Sequence, residues 1–217
     1  MSAIPEWFPD EITAADLVDA MGRIHRHRCH ILDLVTPTPG RRMAGHAVTI
    51  SYFPTCSEGL PAESYNFADV FYQAVGENGQ GKVLVLASNG YPETSLGGGT
   101  KLARAQKMGL AGVLSDGRLR DFDELAEFDF ATYCSGEATR WGGDSVTPYL
   151  ANVPVVISRV GIHPGDFIFS DSHGTVVIPP AQVEGVVAEA LRVNEEDRTA
   201  LLSIAEERHA QGDEQAR

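Results

Sequence analysis

Cysteine is scarce in this sequence: three residues in 217, at Cys29, Cys56 and Cys134, with no CxxC spacing. An odd, scattered set of this kind argues against a disulfide framework or a cysteine zinc site and suits a reducing cytoplasm. Positive charge is also short, with 17 Lys+Arg against 30 Asp+Glu and a net charge of -13. Such a surface repels nucleic acid and anionic lipid, so no nucleic-acid partner is expected. No apolar run reaches the ~18 residues of a membrane-spanning helix. The opening MSAIPEWFPDEI places acids and prolines where a signal peptide needs a positive start and an apolar stretch. A cytoplasmic protein without a membrane partner is the expectation. GxGxxG, GxxxxGK[ST] and GxSxG are missing too, which leaves a dinucleotide fingerprint, a P-loop and a serine hydrolase elbow without support. There is no internal repeat, low-complexity tract or linker rich enough to divide the chain.

What remains is a globular composition, 43% hydrophobic and 22% charged over 217 residues, which fits one domain spanning 1–217. TAADLVDAM (13–21) predicts a helix capped by Thr13, with an apolar stripe through Leu17, Ala20 and Met21. GHAVTISYF (45–53) has strand character, and the spacing of Phe67, Val70, Phe71 and Ala74 predicts a helix over 63–75. KVLVLA (82–87) is a continuous apolar run of the length of a strand buried on both faces. A glycine-rich loop, SNGYPETSLGGG (88–99), follows. It leads into a predicted helix over 100–108 that stops at Gly109, and then into a short buried strand, GVLS (112–115). Strand, glycine-rich loop, helix and strand form a βαβ unit, whose loops at strand C-termini are where α/β folds bind ligands. Strands are further predicted over 153–158, 166–170 and 175–179, the last two joined by the tight turn SDSHG. An acidic helix is predicted over 182–208, with a frayed tail after His209.

The segment SDGRLRDFDEL (115–125) carries the densest chemistry, alternating Arg118 and Arg120 with Asp116, Asp121 and Asp123. It reads either as a solvated ion-pair loop or as half of a site. The other half is LGGGT (96–100), a glycine turn opening a helix, which aims backbone N–H groups and a positive dipole end at an anion. Arg120 suits a carboxylate and Asp121 suits a hard cation, so together they would hold a small carboxylic acid against a metal. HRHRCH (25–30) reads more simply as a basic turn than as a metal cluster. His46 and His163 read as strand-end or core residues, and Trp141, Tyr133 and Tyr149 as packing residues.

GxxGxxxDGxxRD over 109–121, followed by PGDxxxxDxxGxxxxP over 164–179, together with the TAADLVDAM helix and the GHAVTI strand, resembles the RraA-like family. That family contains the regulator of ribonuclease activity A and the class II pyruvate aldolases acting on 4-hydroxy-4-methyl-2-oxoglutarate and 4-carboxy-4-hydroxy-2-oxoadipate. The resemblance implies an α/β fold: an αββα sandwich with a βαβ-type site loop and a helical C-terminus, assembled as homotrimers or hexamers. It also implies a lyase, an aldolase or oxaloacetate decarboxylase using Mg2+ or Mn2+ on a small 2-oxo acid. Arg120 would bind the pyruvyl group, Asp121 would hold the metal, and Gly98, Gly99, Thr100 and Lys101 would form the substrate loop. The alternative it implies is a non-catalytic regulator that masks a protein partner such as a ribonuclease. The chain departs from the aldolase pattern at Gly99, where the family carries an acid, and at Ser88 and Asn89, where it usually carries Asp. Glu93, in the same loop, is the candidate replacement for the missing carboxylate.

Overall fold

The computed structural model describes residues 4–24, 28–140 and 142–214. Thr13 and Asp16 start the first helix reciprocally: the Asp16 carboxylate accepts the Thr13 N–H at 2.8 Å and the Thr13 hydroxyl accepts the Asp16 N–H at 3.3 Å. Helix α1 (Ala14–Ile24) thus begins where the capping residue predicts. Strand β1 (His30–Ile31) follows, then the long β2 (Met43–Pro54). Helix α2 covers Phe67–Val75 rather than 63–75, because Asn66 accepts the Asp69 N–H at 3.0 Å and caps it there. The predicted βαβ unit is present as β3 (Lys82–Ala87), α3 (Gly99–Met108) and β5 (Gly112–Ser115). Gly109 adopts the left-handed conformation, φ 70° and ψ 36°, that ends α3.

Short elements fill the connections. Strand β4 (Ser95–Gly97) lies inside the glycine-rich loop and pairs in parallel with β6 (Arg118–Leu119). Helix α4 (Phe122–Glu127) leads to β7 (Ala131–Tyr133), and β8 (Val146–Ala151) returns antiparallel to the far end of β2. Strands β9 (Val155–Ile157) and β10 (Val160–Ile162) form a separate hairpin. Strands β11 (Phe167–Asp171) and β12 (Gly174–Ile178) form the second hairpin, across the predicted SDSHG turn. The acidic helix α5 runs over Val183–Glu214, beyond the predicted 182–208. The main sheet has the order β1-β12-β11-β2-β3-β5-β7, with β2, β3, β5 and β7 parallel.

Alternation in the central strands separates two faces. Val48, Ile50, Leu84 and Leu86 pack with Phe71 of α2 and Leu102 of α3, whereas Phe167, Phe169, Val176 and Ile178 meet α1 and α5. In this register Phe167 opposes His46 and Leu84 opposes Val48, so the helices share one face of the sheet. Ala47, Val83, Val85 and Ile168 face the other way, against the β9–β10 hairpin. Fully burying a side chain such as Phe71 or Leu102 contributes about 1.5–3 kcal/mol relative to leaving it exposed. The result is the expected mixed α/β architecture with a helical C-terminus. No described helix is long and apolar enough to cross a membrane.

Candidate functional site at the start of helix α3

Strand β4, the turn after β6 and the start of α4 converge on the first turn of α3. Pairing of β4 with β6 sets the register: the Arg118 N–H donates to Thr94 O at 3.0 Å, and the Arg120 N–H donates to Gly97 O at 2.9 Å. The buried Tyr52 hydroxyl donates to Leu96 O at 2.7 Å and ties the same loop to β2. Arg120 and Asp121 are thereby held against Gly98 and Gly99.

Asp121 takes a left-handed backbone, φ 64° and ψ 47°, a conformation tolerated best by Gly, Asn and Asp. Its side chain does not cap its own helix α4; Oδ2 accepts the Gly99 N–H at 3.0 Å. Oδ1 accepts no hydrogen bond from the described residues. Both glycines lie against carboxylates: a Cβ on Gly98 would lie 2.5 Å from Asp121 Oδ2, and one on Gly99 would run into Glu124 Oε2 unless that side chain moved. Two carboxylates therefore rest on the positive end of α3, where the dipole favours them. Arg120 forms no ion pair within the described residues. With Asp121, Glu137, Ala138 and Thr139 it lines an open hollow of about 230 Å³. The Glu137 carboxylate accepts the Phe122 N–H at 3.0 Å, and its backbone is held beside β6 by the Arg118 guanidinium, which donates to Glu137 O at 3.0 Å.

Several sequence expectations are redrawn. Glu93 does not supply the carboxylate missing at Gly99; it pairs with Arg118 at 3.4 Å and is 78% exposed. The acid beside Gly99 is Glu124, brought there because the turn at Asp121 folds α4 back over the start of α3. Glu124 lies in the SDGRLRDFDEL segment but beyond the RD pair, and Glu137 lies outside it, so neither was marked as a site residue by the sequence. Of the predicted substrate loop, Gly98 and Gly99 meet Asp121, while Thr100 is exposed and Lys101 turns its side chain away, over the Phe67 ring at 5.3 Å. Asp116 does not pair with an arginine. Its carboxylate accepts the Ser88 N–H at 2.6 Å, and burial raises its pKa above the usual carboxylate range. Asn89 donates to Ser51 Oγ at 2.7 Å. His46 hydrogen-bonds Gly165 O and packs edge-on against Phe167, His163 bonds within its own turn to Asp166, and Tyr133 donates to Arg41 O. Tyr149 packs against Phe53 and Tyr65. Trp141 and His25, Arg26 and His27 of the HRHRCH segment lie outside the described residues.

All donors in this hollow are hard oxygens, without thiol or imidazole, which matches the chemistry of Mg2+ or Mn2+. Mg2+ binds through one or two carboxylates and keeps several waters. No group of three or more His, Cys, Asp or Glu side chains that could hold a metal ion occurs among the described residues.

Comparison with known proteins places these features in context. The family model RraA-like, described as Aldolase/RraA, matches residues 14–177. Protein DlpA of Legionella pneumophila is 27% identical over 176 residues, covering 80% of this chain and 28% of its own length. A Halalkalibacterium halodurans protein, provisionally named a 4-hydroxy-4-methyl-2-oxoglutarate aldolase, is 29% identical over 62% of this chain and 63% of its own length. A Burkholderia mallei protein with the same provisional name is 31% identical over 66% of this chain and 79% of its own. The chain thus spans about a quarter of the first of these relatives and just under two thirds of the second. Among solved structures, Streptomyces coelicolor RraAS2, described as an unusual member of the RNase ES inhibitor RraA protein family, superposes with a TM-score of 0.76. It is 22% identical and aligned over 88% of this chain and 93% of its own. An uncharacterized Pseudomonas syringae pv. tomato protein gives 0.75 at 24% identity, over 91% of both chains. At these identities the two structures speak for the fold alone.

Proposed function

Because this chain belongs to the RraA-like family, we propose that it is a divalent-metal-dependent carbon–carbon lyase, an aldolase or oxaloacetate decarboxylase, acting on a small 2-oxo acid. One observation carries the reading. Arg120 and Asp121 are adjacent, have no ion-pair partner among the described residues, and open onto one hollow beside the positive end of α3.

Cleaving the bond next to a pyruvyl unit leaves negative charge on an enolate, and catalysis requires groups placed where that charge develops. The planar fork of Arg120 binds the substrate carboxylate through two hydrogen bonds and fixes its orientation. The first-turn amides of α3, which have no intrahelical acceptor, add a positive field. Asp121, and Glu124 beside it, would hold Mg2+ or Mn2+. Such an ion supplies Lewis-acid polarisation of the ketone oxygen. Glu137, lining the same hollow, would take the hydroxyl proton of an aldol substrate as the carbon–carbon bond breaks and deliver it to the enolate carbon; in decarboxylation CO2 leaves and the enolate carbon takes its proton from solvent. The hollow is open to solvent, so assembly into a closed trimer or hexamer, with a neighbouring copy covering it, is part of this proposal.

The test is pyruvate release from oxaloacetate with Mn2+, with Mg2+ and with EDTA, for the native protein, Arg120→Ala and Arg120→Lys. Metal-dependent turnover is expected, with both substitutions lowering kcat/KM by about 10- to 100-fold, since a point charge does not reproduce a two-pronged grip. Turnover that persists in EDTA, or a Lys variant equal to the native protein, overturns the assignment. Absence of turnover on any 2-oxo acid favours the non-catalytic regulator.

A further inference from the structure

On the other side of the β4–α3 connection lies a second cavity of about 390 Å³, to which the proposed lyase chemistry assigns no role. Its walls are mainly apolar and aromatic, with Leu60, Tyr65, Phe67 and Val146 prominent, and the polar lining is neutral apart from Lys101: the hydroxyl residues Thr55, Ser57, Ser95 and Thr147, and Asn66. Lys101 is the one cation among the described lining residues, and no acidic side chain lines it among them.

The environment of that lysine is unusual. Its ammonium lies over the Phe67 ring, 5.3 Å from the centroid, and makes no hydrogen bond or ion pair with the described residues. Burial lowers its pKa, and the neighbouring charges of Arg120 and Arg104 lower it further. Three cations thus share a region in which the lysine has an aromatic face as partner and lacks an anion. A desolvated ammonium without a counter-ion is electrostatically incomplete, and the volume beside it is apolar and ring-lined. Both deficits are met by one kind of molecule.

We propose that this cavity binds an organic monocarboxylate with an apolar, ring-sized body. The carboxylate meets Lys101 and the body lies between the Tyr65 and Phe67 walls. Inorganic anions lack the apolar body, and neutral aromatics lack the charge, so each satisfies half of the site. The inference is independent of the lyase reading, because it uses neither Asp121 nor a metal.

Benzoate is the probe, with benzyl alcohol and inorganic phosphate as its two halves, all titrated in EDTA by calorimetry and by NMR of the full chain. Benzoate is expected to bind more tightly than either half and to raise the Lys101 pKa, read from the 13C shift of reductively methylated lysine. Lys101→Met should weaken benzoate binding about tenfold or more, consistent with loss of a charge-assisted contact, with little effect on benzyl alcohol. Arg120→Ala should leave saturable benzoate binding in place, which separates this cavity from the Arg120 hollow. Equal benzoate affinity in Lys101→Met, or binding that vanishes in Arg120→Ala while Lys101→Met retains it, overturns the proposal. Far-ultraviolet circular dichroism of each variant confirms that it is folded.

Discussion

The Asp121 carboxylate accepts the backbone N–H of Gly99 at 3.0 Å across twenty-two residues of sequence. One side chain therefore closes the start of α3 and presents its other oxygen to the hollow. The two tasks separate by substitution. Asp121→Asn keeps an acceptor for Gly99 and tolerates the left-handed backbone, so stability should stay within ~0.5 kcal/mol of the native protein while Mn2+ affinity and turnover are lost. Asp121→Ala should cost about 1–2 kcal/mol more, from the lost cap and the left-handed strain. Urea denaturation alongside Mn2+ calorimetry checks both. Equal stability of Asn and Ala would remove the capping role, and an active Asn variant would remove the metal role.

The second prediction concerns where the acid beside Gly99 comes from. Gly99 is helical and is not among the glycines with positive φ, so an added side chain meets Glu124 rather than backbone strain. Gly99→Glu alone should gain nothing, since it forces two carboxylates into one place. Glu124→Ala should weaken Mn2+ binding about 10- to 100-fold, the usual cost of losing a supporting ligand, and Gly99→Glu in the Glu124→Ala background should restore most of it. Unchanged affinity in Glu124→Ala would reduce that carboxylate to a helix-terminal charge contributing ~0.3–1 kcal/mol to stability.

Thiol reactivity follows from burial. Cys56 is exposed, whereas Cys29 and Cys134 are buried, and burial raises both thiols above the ordinary value, Cys134 to about 11. Thiolate is the reactive form. A chromogenic disulfide reagent at pH 8 should therefore count one thiol per native chain and three after unfolding. Rapid reaction of two or three native thiols would contradict the core around Cys134.

Asp116 gives a pH dependence of the less common sign. Burial raises its folded pKa above the unfolded value, so its contribution to stability is full below the unfolded pKa and is lost as pH rises through the folded one. Asp116→Asn retains an oxygen for the Ser88 N–H and does not titrate. The stability of the native protein relative to Asp116→Asn should fall as pH rises above the ordinary carboxylate range in urea titrations. A difference independent of pH, or one that grows in favour of Asp, would show that the Ser88 contact outweighs burial.

Elements with their own local signals were legible in the sequence. Thr13 marks the start of α1, the apolar run 82–87 marks β3, and Gly109 marks the end of α3. Strands β1, β6 and β7 were not, because two or three residues carry no periodicity and their partners are remote; β1 pairs with β12 from the far end of the chain. Strand β8 was hidden by Pro148 within it, a residue that argues against a strand unless it sits at an edge. The pairing of Arg120 with Asp121 could be read from their adjacency and the loop upstream. The arrival of Glu124 and Glu137 could not, since it depends on one left-handed residue and on the Arg118 tether.

The strand order has a consequence for how the chain acquires this shape. Strands β2, β3, β5 and β7 are contiguous in space and drawn from residues 43–133, whereas α1 and β1 find their partners on β11, β12 and α5. As the chain leaves the ribosome, the part that forms β2, β3, β5 and β7 can collapse on itself while α1 waits, with Leu17 and Met21 uncovered, for β11, β12 and α5. The two termini are thus one late-closing unit, and a truncation at either end uncovers the other.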